Sequence, residues 1–267
     1  MVNLYIFFKE TFYLLLRRGR QLAFFLTSSD SLEALLRHAT PSGSVPYGVL
    51  ESTYRFKVPK NLRNVRTFFR RSGKGFGEDA LFAMWWLLLE DIRPKKMLEI
   101  GVYRGQVLAF WSKWALTQSM QSDLYGLSPF TAAGDQVSTY DDLDYLEDIR
   151  SSFEDLGLPM FRPLVFLSND SRARGVLKPH FGAFDLIYVD GSHDYDVVIS
   201  DIALSHSLLR KSGYMVLDDA SLSIPQYLPP YAFKGHPGPS RAASELMSSH
   251  KWNFVGCCGH NVIFSRV

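Results

Sequence analysis

From residue 97 onward, short apolar runs recur at 97–100 (MLEI), 124–127 (LYGL), 163–167 (PLVFL), 184–189 (FDLIYV) and 213–217 (GYMVL). Runs of this length, rich in branched and aromatic residues, predict strands covered on both faces. Between them the apolar positions fall three and four residues apart. Val198, Ile202, Ser205 and Leu209 trace one such face within 195–209, and helices are predicted there and at 78–89, 106–117, 143–156 and 171–177. The first of these, carrying Phe82, Trp85, Trp86 and Leu89, is expected to cover a sheet edge, with the tryptophans as packing. Strand and helix alternate, which predicts an α/β fold with a doubly wound, mostly parallel sheet. Near the end, Ser240 is expected to cap a helix to about 250, and 252–255 with 261–264 to form a hairpin turning at 256–259.

The N-terminal region follows another pattern. Leu4, Ile6, Phe7, Phe8 and 12–16 are oily, broken by charges, and 22–26 is oily again, predicting one or two helices. Two readings stand: docking onto the domain or a second subunit, as in a homo-oligomer, or lying peripherally in a membrane interface. Residues 40–48 are rich in Pro, Ser and Gly and read as a linker, which divides the chain into an N-terminal helical extension, 1–48, and a catalytic domain, 49–267. No apolar run is long enough to span a bilayer, and Lys9-Glu10 and Arg17-Arg18 spoil any signal peptide. A net charge of +2 gives no case for nucleic acid. The basic run 55–74 reads as a solvated face or as a contact for an anionic substrate, an acidic lipid surface or RNA. The two cysteines, Cys257 and Cys258, are neighbours and form no ordinary staple, so a reducing, cytoplasmic setting is expected.

Polar residues gather where strands end. Glu99 interrupts an apolar run just before Gly101-Val-Tyr-Arg-Gly105. Asp190-Gly-Ser-His193 follows the fourth strand, and Asp218-Asp219 the fifth. Ligand crevices of open α/β sheets lie outside the carboxyl ends of the strands, so these groups are expected on one rim. The glycine spacing is not the dinucleotide fingerprint, and no lysine follows Gly105 as a phosphate-binding loop requires. Blander readings remain open: Glu99 paired with Arg104, Asp218-Asp219 as a helix cap, Asp190 holding the Gly191 turn, His193 as a loop or cap histidine. The proline-rich stretch 224–240 reads as an active-site loop in which His236 is either an acid-base or metal residue or part of a turn.

Glu99-x-Gly-x-x-x-Gly105 resembles motif I of the class I S-adenosylmethionine (SAM)-dependent methyltransferases. With Asp190-Gly-Ser-His193 and Asp218-Asp219, the chain from 76 to 267 resembles the branch of catechol and macrolide-sugar (macrocin-type) O-methyltransferases. The resemblance implies a seven-stranded Rossmann-like sheet with an antiparallel last strand. It implies SAM held by Glu99, Gly101, Tyr103, Gly105 and Asp190, with Ser128 at the ribose position and Asp170-Ser171 at the adenine position. An acid generally stands where Ser128 is found, and Asp135 or Asp141 in the next loop could take over its role. The resemblance further implies a divalent cation on Asp190, Asp218 and Asp219, His193 as base, and His236 as a second candidate. Crowded carboxylates repel unless a cation neutralises them, and all-oxygen ligation suits Mg²⁺. The expected reaction is O-methylation of a small hydroxylated acceptor, a sugar or glycosylated metabolite. The alternatives are a metal-free or N-directed methyltransferase, or a non-catalytic SAM-binding or membrane-associated scaffold.

Overall fold

The computed structural model describes residues 31, 36, 39–40, 42–132, 139–140 and 142–267. The oily stretches within 4–26, and Asp135 and Asp141, lie outside the described residues. Among the described residues no helix is long and apolar enough to cross a membrane. The strands are β1 Lys96–Ile100, β2 Asp123–Ser128, β3 Arg162–Val165, β4 Phe184–Val189, β5 Leu209–Leu217, β6 Trp252–Cys258 and β7 Asn261–Arg266. They form one seven-stranded sheet in the order β3-β2-β1-β4-β5-β7-β6. β1 to β5 pair in parallel, and β7 is antiparallel to both β5 and β6.

The period of two along each strand sends alternate side chains into two separate cores. On β4, Leu186 and Tyr188 enter one, Ile187 and Val189 the other. The first lies under α1 Tyr47–Phe56, α2 Lys60–Arg71, α3 Asp79–Ile92, α4 Gln106–Thr117 and α5 Tyr145–Asp155. The second lies under α6 Ser171–Leu177, α7 Tyr195–Leu208 and α8 Pro237–Met247. α3 is apolar all round and buried from Ala80 to Leu89, as befits a helix with neighbours on every side. The Trp85 ring packs edge-on to Tyr188 of β4 at 4.8 Å and to Trp111 of α4 at 5.1 Å. The helix therefore covers the middle of the sheet face rather than an edge, and the tryptophans are packing residues.

Several expected boundaries move. β3 stops at Val165, because the chain then closes a turn in which the Asp170 N–H donates to the Leu167 carbonyl at 3.0 Å. β6 runs on through both cysteines: a register shift between Phe254 and Gly256 leaves Val255 as the extra residue, Gly256 pairs with Ile263, Cys257 with Val262 and Cys258 with Asn261. The hairpin turn is therefore at Gly259-His260. Both thiols are free and buried, and burial pushes the Cys257 thiol up to about 12. α8 starts at Pro237 with His236 as its N-cap, the usual place for a helix-opening proline. Ser240, expected as the cap, instead sits inside the helix, its Oγ donating to the Asp219 carbonyl and accepting from the Leu222 N–H. The stretch read as a linker is tied down at its centre: Cys257 N–H donates to Gly43 O and Val45 N–H to Cys257 O, both at 2.9 Å. It covers the otherwise unpaired edge of β6, and α1 begins two residues later, at Tyr47.

The basic run builds α2, and its arginines divide by role. Arg66 is buried, its Nε 3.3 Å from Asp79, its Nη1 donating to Gln106 at 2.8 Å and its Nη2 to the Gly77 carbonyl at 2.5 Å. Arg71 is exposed. Arg66→Met should therefore cost roughly 1.5–3 kcal/mol, the loss of the charge-assisted hydrogen bonds of a buried guanidinium. Arg71→Met should cost less than about 0.5 kcal/mol, as surface changes do. Urea denaturation of both variants checks the contrast.

Candidate active site

β1 delivers Glu99 and the 101–105 loop to the carboxyl rim of the sheet. Glu99 is 3% exposed. The Leu108 N–H, an unpaired donor in the first turn of α4, donates to its carboxylate, whereas Oε2 has no partner. Burial, reinforced by the charge of Asp218, pushes this carboxyl up to about 8. Arg104 does not pair with it; its Nε lies 2.6 Å from Asp148 instead. Gly101 has φ +92°, and a Cβ there would run into the Asp190 carbonyl and Gly191 Cα. The glycine is thus demanded by the neighbouring strand end as well as by any ligand. Gly105, at φ +82°, opens α4 where a Cβ would press on Ile149 of α5. Tyr103 lines the same cavity, its ring 5.2 Å from Phe76. At the end of β2, the Ser128 Oγ donates to the Val102 carbonyl at 3.1 Å, which pins the loop and leaves the hydroxyl oxygen as an acceptor.

β4 and β5 bring the acids to the opposite wall. The Asp190 and Asp218 side chains are hydrogen-bonded to each other. Burial raises both carboxyls; the charge of Asp218 pushes Asp190 further up, whereas His260 and the bond from Asp190 hold Asp218 back. Asp219 sits at φ +53°. The strained turn is locked where its carbonyl accepts the His236 N–H at 2.8 Å, and its carboxylate faces two ways. Oδ2 is 3.1 Å from His193 Nε2 and 3.7 Å from His236 Nε2, and those two rings stack 3.9 Å apart. Oδ1 is 3.8 Å from His260 Nε2, which is also 3.4 Å from Asp218 Oδ1. The atoms that could hold a cation therefore form two groups sharing Asp219, one with His193 and His236, the other with Asp218 and His260. Asp190 enters neither, because it is engaged with Asp218.

One cavity of about 700 Å³ joins the glycine loop to the acids. Of the expected residues, Glu99, Gly101, Tyr103, Gly105, Ser128, Asp190, His193, Asp218, Asp219 and His236 line it. Asp170 and Ser171 do not. Asp170 caps α6 by accepting the Arg172 N–H at 2.8 Å, and its carboxylate is held by the Arg172 guanidinium; Leu167, Ser168 and Asn169 form that wall instead. The proline-rich loop 224–240 reaches the cavity: Phe233 packs 5.1 Å from His236 and 5.7 Å from His260, and its N–H donates to Glu78 at 3.1 Å. His260 and Glu78 were not expected from sequence. His260 stands in the β6–β7 turn. β6 runs the same way as the parallel strands, so that turn had to emerge on the carboxyl rim, and starting it three residues early hid the histidine.

Against known proteins, residues 98–220 match a family described as a methyltransferase domain. The fold is similar to that of an O-methyltransferase from Bacillus cereus in complex with SAH, at 16% identity and a TM-score of 0.55, over 82% of this chain and 97% of that one. It is also similar to SAH-bound PaMTH1 of Podospora anserina, at 18% identity and a TM-score of 0.53, over 81% and 93%. Cofactor-bound Rv0187 from MTB gives 17% identity and a TM-score of 0.54, over 83% and 97%. Among curated proteins, the uncharacterized protein R132 of Acanthamoeba polyphaga mimivirus is 24% identical over 122 residues, 46% of this chain and 50% of that protein. The chain thus spans about half the length of the curated relative it matches.

The raised Glu99 carboxyl has a measurable consequence in the ligand-free protein. Between its ordinary value of 4.5 and about 8, the folded state keeps a proton that the unfolded state has released. Stability must then fall as pH rises through that window. Glu99→Gln should make the decline shallower by up to about 1.4 kcal/mol per pH unit, leaving the share due to Asp190 and Asp218. Urea titrations across the window test this, and an unchanged slope would mean that Glu99 is already ionised in the fold.

Proposed function

We propose that this chain, whose residues 98–220 match a methyltransferase domain, is a SAM-dependent O-methyltransferase acting on a small hydroxylated acceptor. The observation that carries this reading is the meeting, in one cavity, of an orphaned buried Glu99 oxygen beside a glycine loop with a carboxylate-histidine cluster on the opposite wall. The residues suit the cofactor. Glu99, Gly101, Tyr103, Gly105 and Ser128 would hold it, with Leu167 to Asn169 beyond them. When bound, SAM supplies a methyl carbon made electrophilic by its sulfonium.

The chain's own residues account for the acceptor side. Asp219 Oδ2 accepts from His193 Nε2, which fixes the tautomer whose Nδ1 carries the lone pair and makes His193 the base for the acceptor hydroxyl. His236, stacked on it, holds the imidazole in place and is the second candidate. Asp218 and Asp219 would hold a divalent cation such as Mg²⁺, joined by Asp190 if it gave up its bond to Asp218, and the ion would stabilise negative charge on an acceptor oxygen. The buried Asp218 Oδ1, which no hydrogen bond satisfies, supports that assignment. A hydroxylated ring, as in a sugar or glycosylated metabolite, suits a wall that combines Phe233 with histidines and acids. A second reading, without metal, is favoured by the hydrogen bond that already joins Asp190 to Asp218 and by the imidazoles that already contact both Asp219 oxygens. In that case the cluster orients the acceptor. The reading includes a cytoplasmic setting, which the free, buried thiols suit, with the 1–48 segment contacting a membrane surface or a second subunit.

Thermal denaturation with SAH, alone and with Mg²⁺, tests the reading. SAH at a hundred times its Kd should stabilise the fold by about 2.7 kcal/mol, and Mg²⁺ should add a second step. Asp219→Asn and Asp190→Asn should abolish the Mg²⁺ step and leave that of SAH nearly intact. With an accepted substrate, His193→Ala should cut turnover by roughly 10²–10⁴-fold without changing SAH binding. A chain that SAH does not stabilise is not a SAM-dependent enzyme; a single step, from SAH alone, favours the metal-free form.

A further inference from the structure

Among the described residues, Lys74 and Arg104 are the only lysine and arginine lining the cavity, whose other charged groups are acids: Glu78, Glu99, Asp190, Asp194, Asp218 and Asp219. Both cations converge on one carboxylate. Lys74 Nζ is 2.9 Å from Asp148 Oδ1, and Arg104 Nε is 2.6 Å from Oδ2. Asp148, on α5, stands behind them and outside the cavity wall, and the three side chains are 17%, 13% and 12% exposed. One carboxylate cannot neutralise two cations, so a surplus positive charge is left on the cavity side, where water screens it poorly. Lys74 also donates to Ser152 at 2.9 Å, and Arg104 meets the Tyr103 hydroxyl, so both are held in place. The segment after Lys74 is fixed too: Gln106 Nε2 donates to the Phe76 carbonyl at 2.9 Å and Arg66 to that of Gly77.

An anionic group entering this cavity meets permanent positive charge only at this pair, among the described residues. Resting on the reading of the site as SAM-dependent, we propose that Lys74 and Arg104 form a carboxylate subsite for the amino-acid end of the cofactor. The carboxylate binds the pair, and the ammonium and sulfonium are left to the acidic remainder of the cavity. Arg104 lies within the 101–105 loop, so the subsite is built into the same turn that offers its backbone to the cofactor. Asp148 is the positioning residue: it aims both cations and prevents them from repelling each other out of the wall. A carboxylate on the acceptor has the same chemistry, and the experiment separates the two sources.

Isothermal titration would compare SAH with its decarboxylated analogue, which lacks only the carboxylate, on the wild-type protein and on Lys74→Met and Arg104→Gln made separately. The wild type should bind SAH roughly 10-fold or more tightly than the analogue, the loss expected for a charge-assisted hydrogen bond. In each variant that gap should shrink severalfold, through weaker SAH binding with little change for the analogue. Two single variants guard against one failing to fold, which circular dichroism would reveal. Equal wild-type affinity for the two ligands, or an undiminished gap in a folded variant, overturns the subsite while leaving the cofactor reading intact. Variants that keep SAH affinity but lose a carboxylate-bearing acceptor assign the pair to the acceptor and overturn the proposal. If the wild type binds neither ligand, the cofactor reading itself fails, and the subsite with it.

Discussion

The contact on which the site depends is the backbone passage of Gly101 against Asp190 and Gly191. β1 and β4 are neighbours in the centre of the sheet, and they end in register. Both chains must then leave the sheet at the same height, and only the missing side chain of Gly101 lets them do so. This passage puts the glycine loop and the first acid back to back and makes the cavity one space instead of two. The depth of the crevice, the burial of Glu99 and the position of the Asp190 carboxyl all follow from it. Asp190 N–H donates to the Ile100 carbonyl at 2.8 Å, so the two strand ends are also hydrogen-bonded.

Around that junction the protein manages a concentration of buried charge by three different means. Asp190 and Asp218 are hydrogen-bonded to each other. Asp219 spreads its two oxygens among three imidazoles. Asp148 is satisfied by Lys74 and Arg104, whose hydrogen bonds hold its carboxyl below the usual range although burial works the other way. Glu99 on one wall and Asp218 on the other each keep a buried oxygen without a hydrogen bond. Desolvated acids are costly when unpaired, so these oxygens are internal evidence that something else is meant to arrive.

The strand and helix order was legible because each parallel strand is a short apolar run and each helix keeps its three-and-four spacing. Helices 106–117 and 171–177 were read to the residue, since Gly105 and Asp170 mark their starts. The acids at the ends of β4 and β5 were legible for the same topological reason. What escaped depended on three-dimensional neighbours. Asp170 reads equally well as a cap or a ligand, and only the Arg172 guanidinium, two residues on, decides for the cap. The end of β6 was lost because Gly256 suggests a turn, whereas it pairs with Ile263 within the strand, just after a bulge at Val255. Arg66 could not be told from its exposed neighbours in a basic run, because burial of one arginine among many depends on where Asp79 and Gln106 come to lie.

The pairing of Gly43 to Val45 along β6 draws a different line through the molecule from the one drawn by function. A catalytic unit counted from Val49 contains every residue of the cavity, yet it lacks the last rib of the sheet. Without that rib β6 would present a row of bare peptide groups beside the hydrophobic Phe254, the kind of margin that recruits another chain. The segment just ahead of that unit is therefore also its hem, stitched to the sheet at Cys257.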